Sequence, residues 1–275
     1  YLSIYNFFMG KRKPEVVFFF HTNEPLMYCL MYLICPRGLI GFSSDNPFDF
    51  LLERKFDFES ESHVILNNLK IVSVIGAFTD DKRMNLYLSG DDRIISRKYL
   101  GSCVKNRPII GFQLGSAVMG RCWPIPKYAE LGIRLFKELD AKIVLLGSSK
   151  EKSLVELLNR SLSNLAVPAI VDLSVAGEII RSIDVLVTPN TGPMHMAFAL
   201  NCPSVVLSGP TNPKNFGPLE TEVKHCYLHK PPDEKNYVKL SGDHTFLLDK
   251  IDSGDVYDAI ILLLKEPRTK FKQEY

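Results

Sequence analysis

The stretch from Ile183 to Pro218, IDVLVTPNTGPMHMAFALNCPSVVLSGPTNPKNFGP, leaves the chain little choice of fold. DVLVT is short, apolar and β-branched, PNTGPM carries turn residues, HMAFAL has helical composition, and PSVVLSG is a second apolar strand. Two such strands joined through a helix pair in parallel, because only a parallel pair needs a long crossover. In sheets of this kind the loops at the carboxyl ends of the strands line the ligand crevice. Here those loops are Thr188 to Met194 and Ser208 to Pro218, both rich in Gly, Pro, Thr and Asn.

The first loop has a specific physical use. Thr191 and Gly192 lie just before a helix that opens near Pro193. Free backbone N–H groups and the positive end of the helix dipole make such a place a site for an anion such as a diphosphate. Gly192 permits close approach of a phosphate, and Pro in the first turn removes no useful donor. An ordinary capped helix is the other reading, and the loop alone leaves the two evenly balanced.

The ordered string D-x-L-x-T-x-N-T-G-P-M-H-M-A-x-A-L, followed by P-S-V-V-L-S-G-P-T-x-P and then G-P, resembles the donor-site signature of the ADP-heptose:lipopolysaccharide heptosyltransferases, family 9 of the glycosyltransferases. One position departs: the family usually has Asp where this chain has Asn190. The resemblance implies an α/β fold of the GT-B type, with two Rossmann-like doubly wound domains facing a cleft. It also implies inverting, metal-independent transfer of a heptose or related sugar from an ADP-sugar to a lipopolysaccharide core. The ADP-sugar would be a donor substrate, with no further cofactor, and the protein would be cytoplasmic, at the cytoplasmic face of the inner membrane.

The rest of the chain fits that frame in part. Residues 1–103 carry a helix over YLSIYNFFMG, a strand at EVVFFFH, a helix at PLMYCLMYLIC, a short strand at GLIGF and a helical run from Glu59 to about Val74. This resembles the second half of the family's N-terminal, acceptor-side domain. The first half, with its opening strand, Gly-Asp-rich loop and the aspartate thought to act as general base, has no counterpart after Tyr1. The expectation is of an incomplete first domain that lacks its base; Asp45 and Asp49 follow GLIGF, but nothing matches them to that role. From residue 104 to 257 strands and helices alternate: PIIGFQL, a helix from about Pro126, AKIVLLG, a helix from about Glu151, VPAIVDL and a helix over 175–182 lead into the opening motif. That alternation predicts a doubly wound donor-binding domain. The amphipathic helix DSGDVYDAIILLLK spans the boundary of the last segment, 258–275, and the resemblance implies that it crosses back onto the first domain.

The loop QLGSAVMGRCWPIPKY follows the first strand of the second domain. It resembles the family's small-residue turn followed by a basic residue before Trp-Pro: Gly115 and Ser116 are donor-binding candidates, and Arg121 stands where the family places a lysine or arginine that contacts the donor diphosphate. A guanidinium there neutralises charge on the departing ADP, whereas a surface Arg beside the only Trp is the alternative. Glu151 matches a family glutamate that holds the ribose hydroxyls; as a first-turn Glu it would equally complement its helix dipole. Asn190, Thr191, Gly192, Pro193, Met194 and His195 fall in the donor motif itself, and Leu173 joins them as a donor-binding position. Arg121, Asn190 and His195 are the catalytic candidates. His195 could bond a diphosphate or sugar oxygen or simply pack, and Asn190 keeps hydrogen-bonding capacity but not charge.

A net charge of +2 gives no case for nucleic acid. Six cysteines without a C-x-x-C pair suit reduced usage, and His225, Cys226 and His229 read as loop residues rather than metal ligands. No apolar run reaches the roughly 20 residues that span a bilayer. PLMYCLMYLIC, apolar on every side, is expected to be a buried helix, with membrane-surface contact as the alternative. Two other functions stay open: a nucleotide-sugar-binding protein or degenerate transferase without turnover, and another GT-B enzyme such as a nucleotide-sugar epimerase.

Overall fold

The computed structural model describes residues 14–20, 24–35, 37–43, 46–101, 107–115, 122–209, 212–229 and 248–265. The chain divides into two compact units, Tyr1–Lys82 and Arg83–Tyr275. Both are α/β with parallel strands, as expected. The expected helix over residues 1–10 lies outside the described residues.

In the first unit β1 (Val17–Phe19), β2 (Leu39–Phe42) and β3 (Arg54–Phe56) form a three-stranded sheet in that order. Helix α1 (Pro25–Ile34) joins the first two strands, and α2 (Val64–Val72) follows the third. The sheet carries apolar clusters on both faces, one around Phe19, Tyr28 and Leu39 and one around Ile40, Phe42 and Ile71. Phe19 stacks on Tyr28 at 4.5 Å between ring centroids. The expectation of an all-round buried α1 is not met within this unit. Only Tyr28 and Ile34 are buried, whereas Leu26 and Leu33 are 69% and 72% exposed.

The second unit holds a six-stranded sheet in the order β6-β5-β4-β7-β8-β9. Its strands are β4 (Ile109–Gln113), β5 (Lys142–Gly147), β6 (Val167–Ile170), β7 (Val185–Pro189), β8 (Ser204–Ser208) and β9 (His225–His229). Its helices are α3 (Gly90–Leu100), α4 (Ile125–Leu139), α5 (Lys152–Ser161), α6 (Leu173–Ser182), α7 (Gly192–Ala199), the short α8 (Pro213–Phe216) and α9 (Ser253–Lys265). Strands buried on both faces must be apolar at every position, and β5 shows it: Ile143 and Leu145 enter one core cluster, Val144 and Leu146 the other. The first cluster lies under α4, α5 and α9, the second under α3, α6 and α7. The sheet is therefore doubly wound.

Two expectations change at this level, the place of the division and the setting of His225, Cys226 and His229. The division falls after Lys82 rather than near residue 103, because α3 packs along α6 and so belongs to the second unit. Helix α9 buries Val256, Tyr257, Ile260 and Leu263 in the first cluster of that same unit, against α4, β8 and β9. Its anchors are specific: Trp123 donates its Nε1–H to the Ile251 carbonyl at 3.0 Å, and the Arg134 guanidinium sits 3.7 Å over the Tyr257 ring. Finally, His225, Cys226 and His229 lie on the edge strand β9 and not in a loop.

His225 is wedged there. Its Nδ1 lies 2.7 Å from Ser204 Oγ, its Nε2 lies 3.1 Å from Thr221 Oγ1, and Phe198 packs on the ring at 4.6 Å. Burial disfavours the imidazolium and pulls its pKa down to about 4. The unfolded chain, with a His pKa near 6.5, therefore takes up a proton first as pH falls. The stability contributed by the neutral ring is complete above about pH 6.5 and lost toward pH 4. Urea denaturation at pH 7.5 and pH 5 should show His225→Gln losing about 1–2 kcal/mol less than the parent over that interval.

Candidate functional site

The crossovers leave the sheet in opposite directions on either side of the β4–β7 pair, so the helices cannot close over the carboxyl ends of those two strands. A pocket of about 690 Å³ opens there within the second unit. Its lining includes Gly115, Glu151, Leu173, Asn190, Thr191, Gly192 and Pro193, seven positions singled out in the sequence. They come from four segments: the ends of β4, β5, β6 and β7.

The β7 end carries the anion-binding geometry. Thr191 stands at the N-cap of α7, but its side chain makes no cap hydrogen bond; its hydroxyl instead donates to the Pro189 carbonyl at 3.4 Å. First-turn N–H groups lack partners inside the helix, so an uncapped turn offers donors and a positive dipole end to whatever enters the pocket. Asn190 adds to this, since its Nδ2 is buried and has no hydrogen-bond partner among the described residues. An orphaned buried amide is costly unless a ligand completes it.

The β5 end is built by a reciprocal cap. Glu151 Oε2 accepts from the Ser148 backbone N–H at 2.7 Å and from the Ser148 hydroxyl at 2.8 Å. One carboxylate oxygen thus holds the turn, while Oε1 reaches toward the β4 end. A Cβ built on Gly115 would lie 1.4 Å from Glu151 Oε1, so only glycine admits this approach. The β4 end is fixed by Tyr128, whose hydroxyl donates to the Gln113 carbonyl at 2.8 Å and whose burial pushes its pKa up. Trp123, 1% exposed, pins the chain where the loop returns. Ser116 and Arg121, between these two anchors, lie outside the described residues. Ile95 of α3 and Leu173 and Ala176 of α6 add apolar lining to the pocket.

Two candidates stand apart from the pocket lining. Met194 is fully buried and packs with Phe198 and Val206, so its side chain serves the core. His195 meets Phe198 of the same helix edge-on, at 5.9 Å between ring centroids, and is not among the lining residues. Sequence reasoning missed Ile95, Asp172 and Ser148; of these only Ser148 had a signal, the S-x-x-E spacing of a capping box with Glu151.

Gly115→Ala should displace Glu151 and break its cap, lowering stability by about 1–2 kcal/mol in urea denaturation. Gly192→Ala, where a Cβ would meet nothing within 4 Å, should leave the midpoint nearly unchanged.

Comparison with known proteins bears on this pocket. The family model described as glycosyltransferase family 9 (heptosyltransferase) matches residues 29–242. Lipopolysaccharide heptosyltransferase 2 of Escherichia coli K12 is 34% identical over 178 residues, which are 60% of this chain and 49% of that protein. Lipooligosaccharide heptosyltransferase 2 of Haemophilus influenzae is 34% identical over 126 residues, 42% of this chain and 36% of that protein. The chain thus spans about half the length, or less, of these relatives. Among solved structures, a glycosyl transferase family 9 protein from Veillonella parvula matches with a TM-score of 0.78 at 20% identity, over 95% of this chain and 77% of that one. The E. coli heptosyltransferase WaaC with ADP matches with a TM-score of 0.64 at 16% identity, over 92% and 73%. At such identities the likeness is one of fold, and the fold is of the GT-B type.

Proposed function

Because the chain belongs to glycosyltransferase family 9, the heptosyltransferase family, we propose that its pocket holds the nucleoside diphosphate of a sugar donor, and that the protein moves a heptose or related sugar from ADP to a lipopolysaccharide core acceptor. The observation that carries this reading is the order of groups along the sheet edge. The uncapped α7 and Asn190 follow β7, Gly115 follows β4, Glu151 follows β5 and Leu173 follows β6, and these strands are successive neighbours. At about 4.8 Å per strand, three spacings cover roughly 14 Å. An anion-binding end, a carboxylate suited to two hydroxyls and an apolar wall therefore succeed one another over the length of an extended nucleoside diphosphate. The solved WaaC structure, which resembles this fold, contains ADP.

On this reading the diphosphate lies at the α7 N-terminus, the ribose hydroxyls bond Glu151 Oε1, and the base rests against Leu173. An acceptor hydroxyl attacks the anomeric carbon as the bond to the diphosphate breaks, with inversion. Charge gathers on the departing ADP, where the α7 dipole, the Asn190 amide and Arg121 stabilise it without a metal. Asn190 serves here as a donor, since an amide cannot take the acceptor's proton at neutral pH; that proton must go to a carboxylate or imidazole elsewhere. Such a protein works in the cytoplasm, at the face of the inner membrane that carries its acceptor. The neutral Asn190 also favours a second reading, nucleotide-sugar binding without turnover, which an assay for sugar transfer from ADP-heptose decides.

Calorimetry should show ADP binding with and without EDTA; failure of every nucleotide to bind, or a strict Mg²⁺ requirement, would overturn the donor-site reading. Arg121→Ala should weaken ADP by about 1.5–3 kcal/mol while leaving adenosine nearly unaffected, the range expected for hydrogen bonds to charged groups.

A further inference from the structure

Gly177 lies buried in the middle of α6, and its backbone is ordinary helix rather than left-handed. Glycine at such a place costs the helix stability relative to alanine, so what occupies the space of its missing side chain matters. A Cβ built there would lie 2.7 Å from Leu88 Cδ2 and 3.0 Å from Met196 Cε. The space is thus filled from two sides, by Met196 of α7 and by Leu88 of the segment that leads into α3. That segment, residues 83–89, forms neither helix nor strand. It opens with Arg83, whose Nη1 lies 3.4 Å from Glu222 Oε1. Met84 then packs against Met194 and Phe198 of α7 and Val206 of β8. Asn85, Leu86 and Tyr87 are exposed, and Leu88 turns in again onto Gly177. At most about 14 Å of chain separates Met84 from Leu88, little more than the roughly 8–10 Å between the axes of packed helices. Residues 83–89 are therefore a short strap from α7 to α6 that ends where α3 begins.

The helices joined at this point all contribute to the pocket. Ile95 comes from α3, Leu173, Val175 and Ala176 come from α6, and Gly192 and Pro193 open α7. Ala176 is the residue next to the glycine, and Ile95 lies in the second turn of α3. We infer that Leu88, seated on Gly177, is a positioning residue for nucleotide binding: it fixes α3 and α7 against α6 and so sets the distance between the apolar lining of the pocket and its anion-binding end. The inference rests on the nucleotide-site reading above and adds to it a residue outside the pocket lining. Spacing matters only to a ligand that reaches both ends, because such a ligand must give up one set of contacts when the ends move. A ligand that binds a single end is indifferent to it.

Gly177→Val puts a branched Cβ where Leu88 and Met196 now meet, and valine is no poorer a helix former than glycine. Calorimetry well below each chain's thermal midpoint should show this variant binding ADP at least about tenfold more weakly than the parent. Inorganic pyrophosphate, which reaches only the α7 end, should bind the two chains within about threefold of each other. Adding Leu88→Ala to Gly177→Val makes room at the seat and should bring ADP back to within about threefold of the parent. Leu88→Ala alone only removes atoms from the strap, and it should weaken ADP by about threefold or more while sparing pyrophosphate; it carries the test if Gly177→Val does not fold. A purely structural role moves the thermal midpoints and leaves the ADP affinity of the folded variants unchanged, and that result overturns the inference. So does equal loss of ADP and pyrophosphate in a folded variant, or a folded double variant that does not recover. Each of these leaves the nucleotide site standing, whereas a parent chain that binds no ADP overturns the site reading and this inference together.

Discussion

The opposed crossovers beside β4 and β7 are the constraint on which the rest of this molecule depends. Each parallel connection must be right-handed, so reversing the direction of strand addition sends successive helices to opposite faces of the sheet. The two faces fill with separate apolar clusters, and the edge between them stays open where the direction changes. The opening is thus a by-product of covering the sheet. What the sequence adds is the chemistry at its rim: an uncapped helix, an unpaired amide, a carboxylate folded over a glycine.

Glu151 illustrates how one side chain can satisfy two demands that look exclusive. As a helix residue it answers the unpaired backbone at the start of α5, and as a pocket residue it keeps an oxygen toward Gly115. A carboxylate has lone pairs enough for both, and the cap removes the rotamer freedom that a ligand contact would otherwise have to freeze. The orientation is set before any ligand arrives, which is the condition for a contact to contribute fully to binding.

Most of the second sheet was legible because its strands are apolar throughout and its turns carry Gly, Pro and Asn, as in DVLVT, AKIVLLG and PSVVLSG. Asn190 to Pro193, singled out by residue type, do line the pocket at its β7 end. The features that escaped have a common cause. Helix α3, GDDRIISRKYL, has little amphipathic pattern, leaves Ile94 exposed, and owes its place to packing along α6. Strand β9 contains two histidines at spacing four, which suggest a cluster, but β-pairing with β8 decides their conformation. Helix α1 reads as apolar on all sides, and composition cannot tell which face a neighbour covers. Met194 sits within the motif, yet its side chain is buried in the core with Phe198 and Val206.

The bond from Trp123 to Ile251 joins residues 128 positions apart, and α9 buries its apolar side beneath β8 and β9. Until the ribosome has released α9, the part of that sheet face which α4 and α5 do not cover stays open, and the Trp123 indole N–H lacks its Ile251 carbonyl. Assembly of this unit therefore waits on a segment made long after the elements it covers, and nascent chains spend that interval with apolar surface in reach of chaperones and of one another.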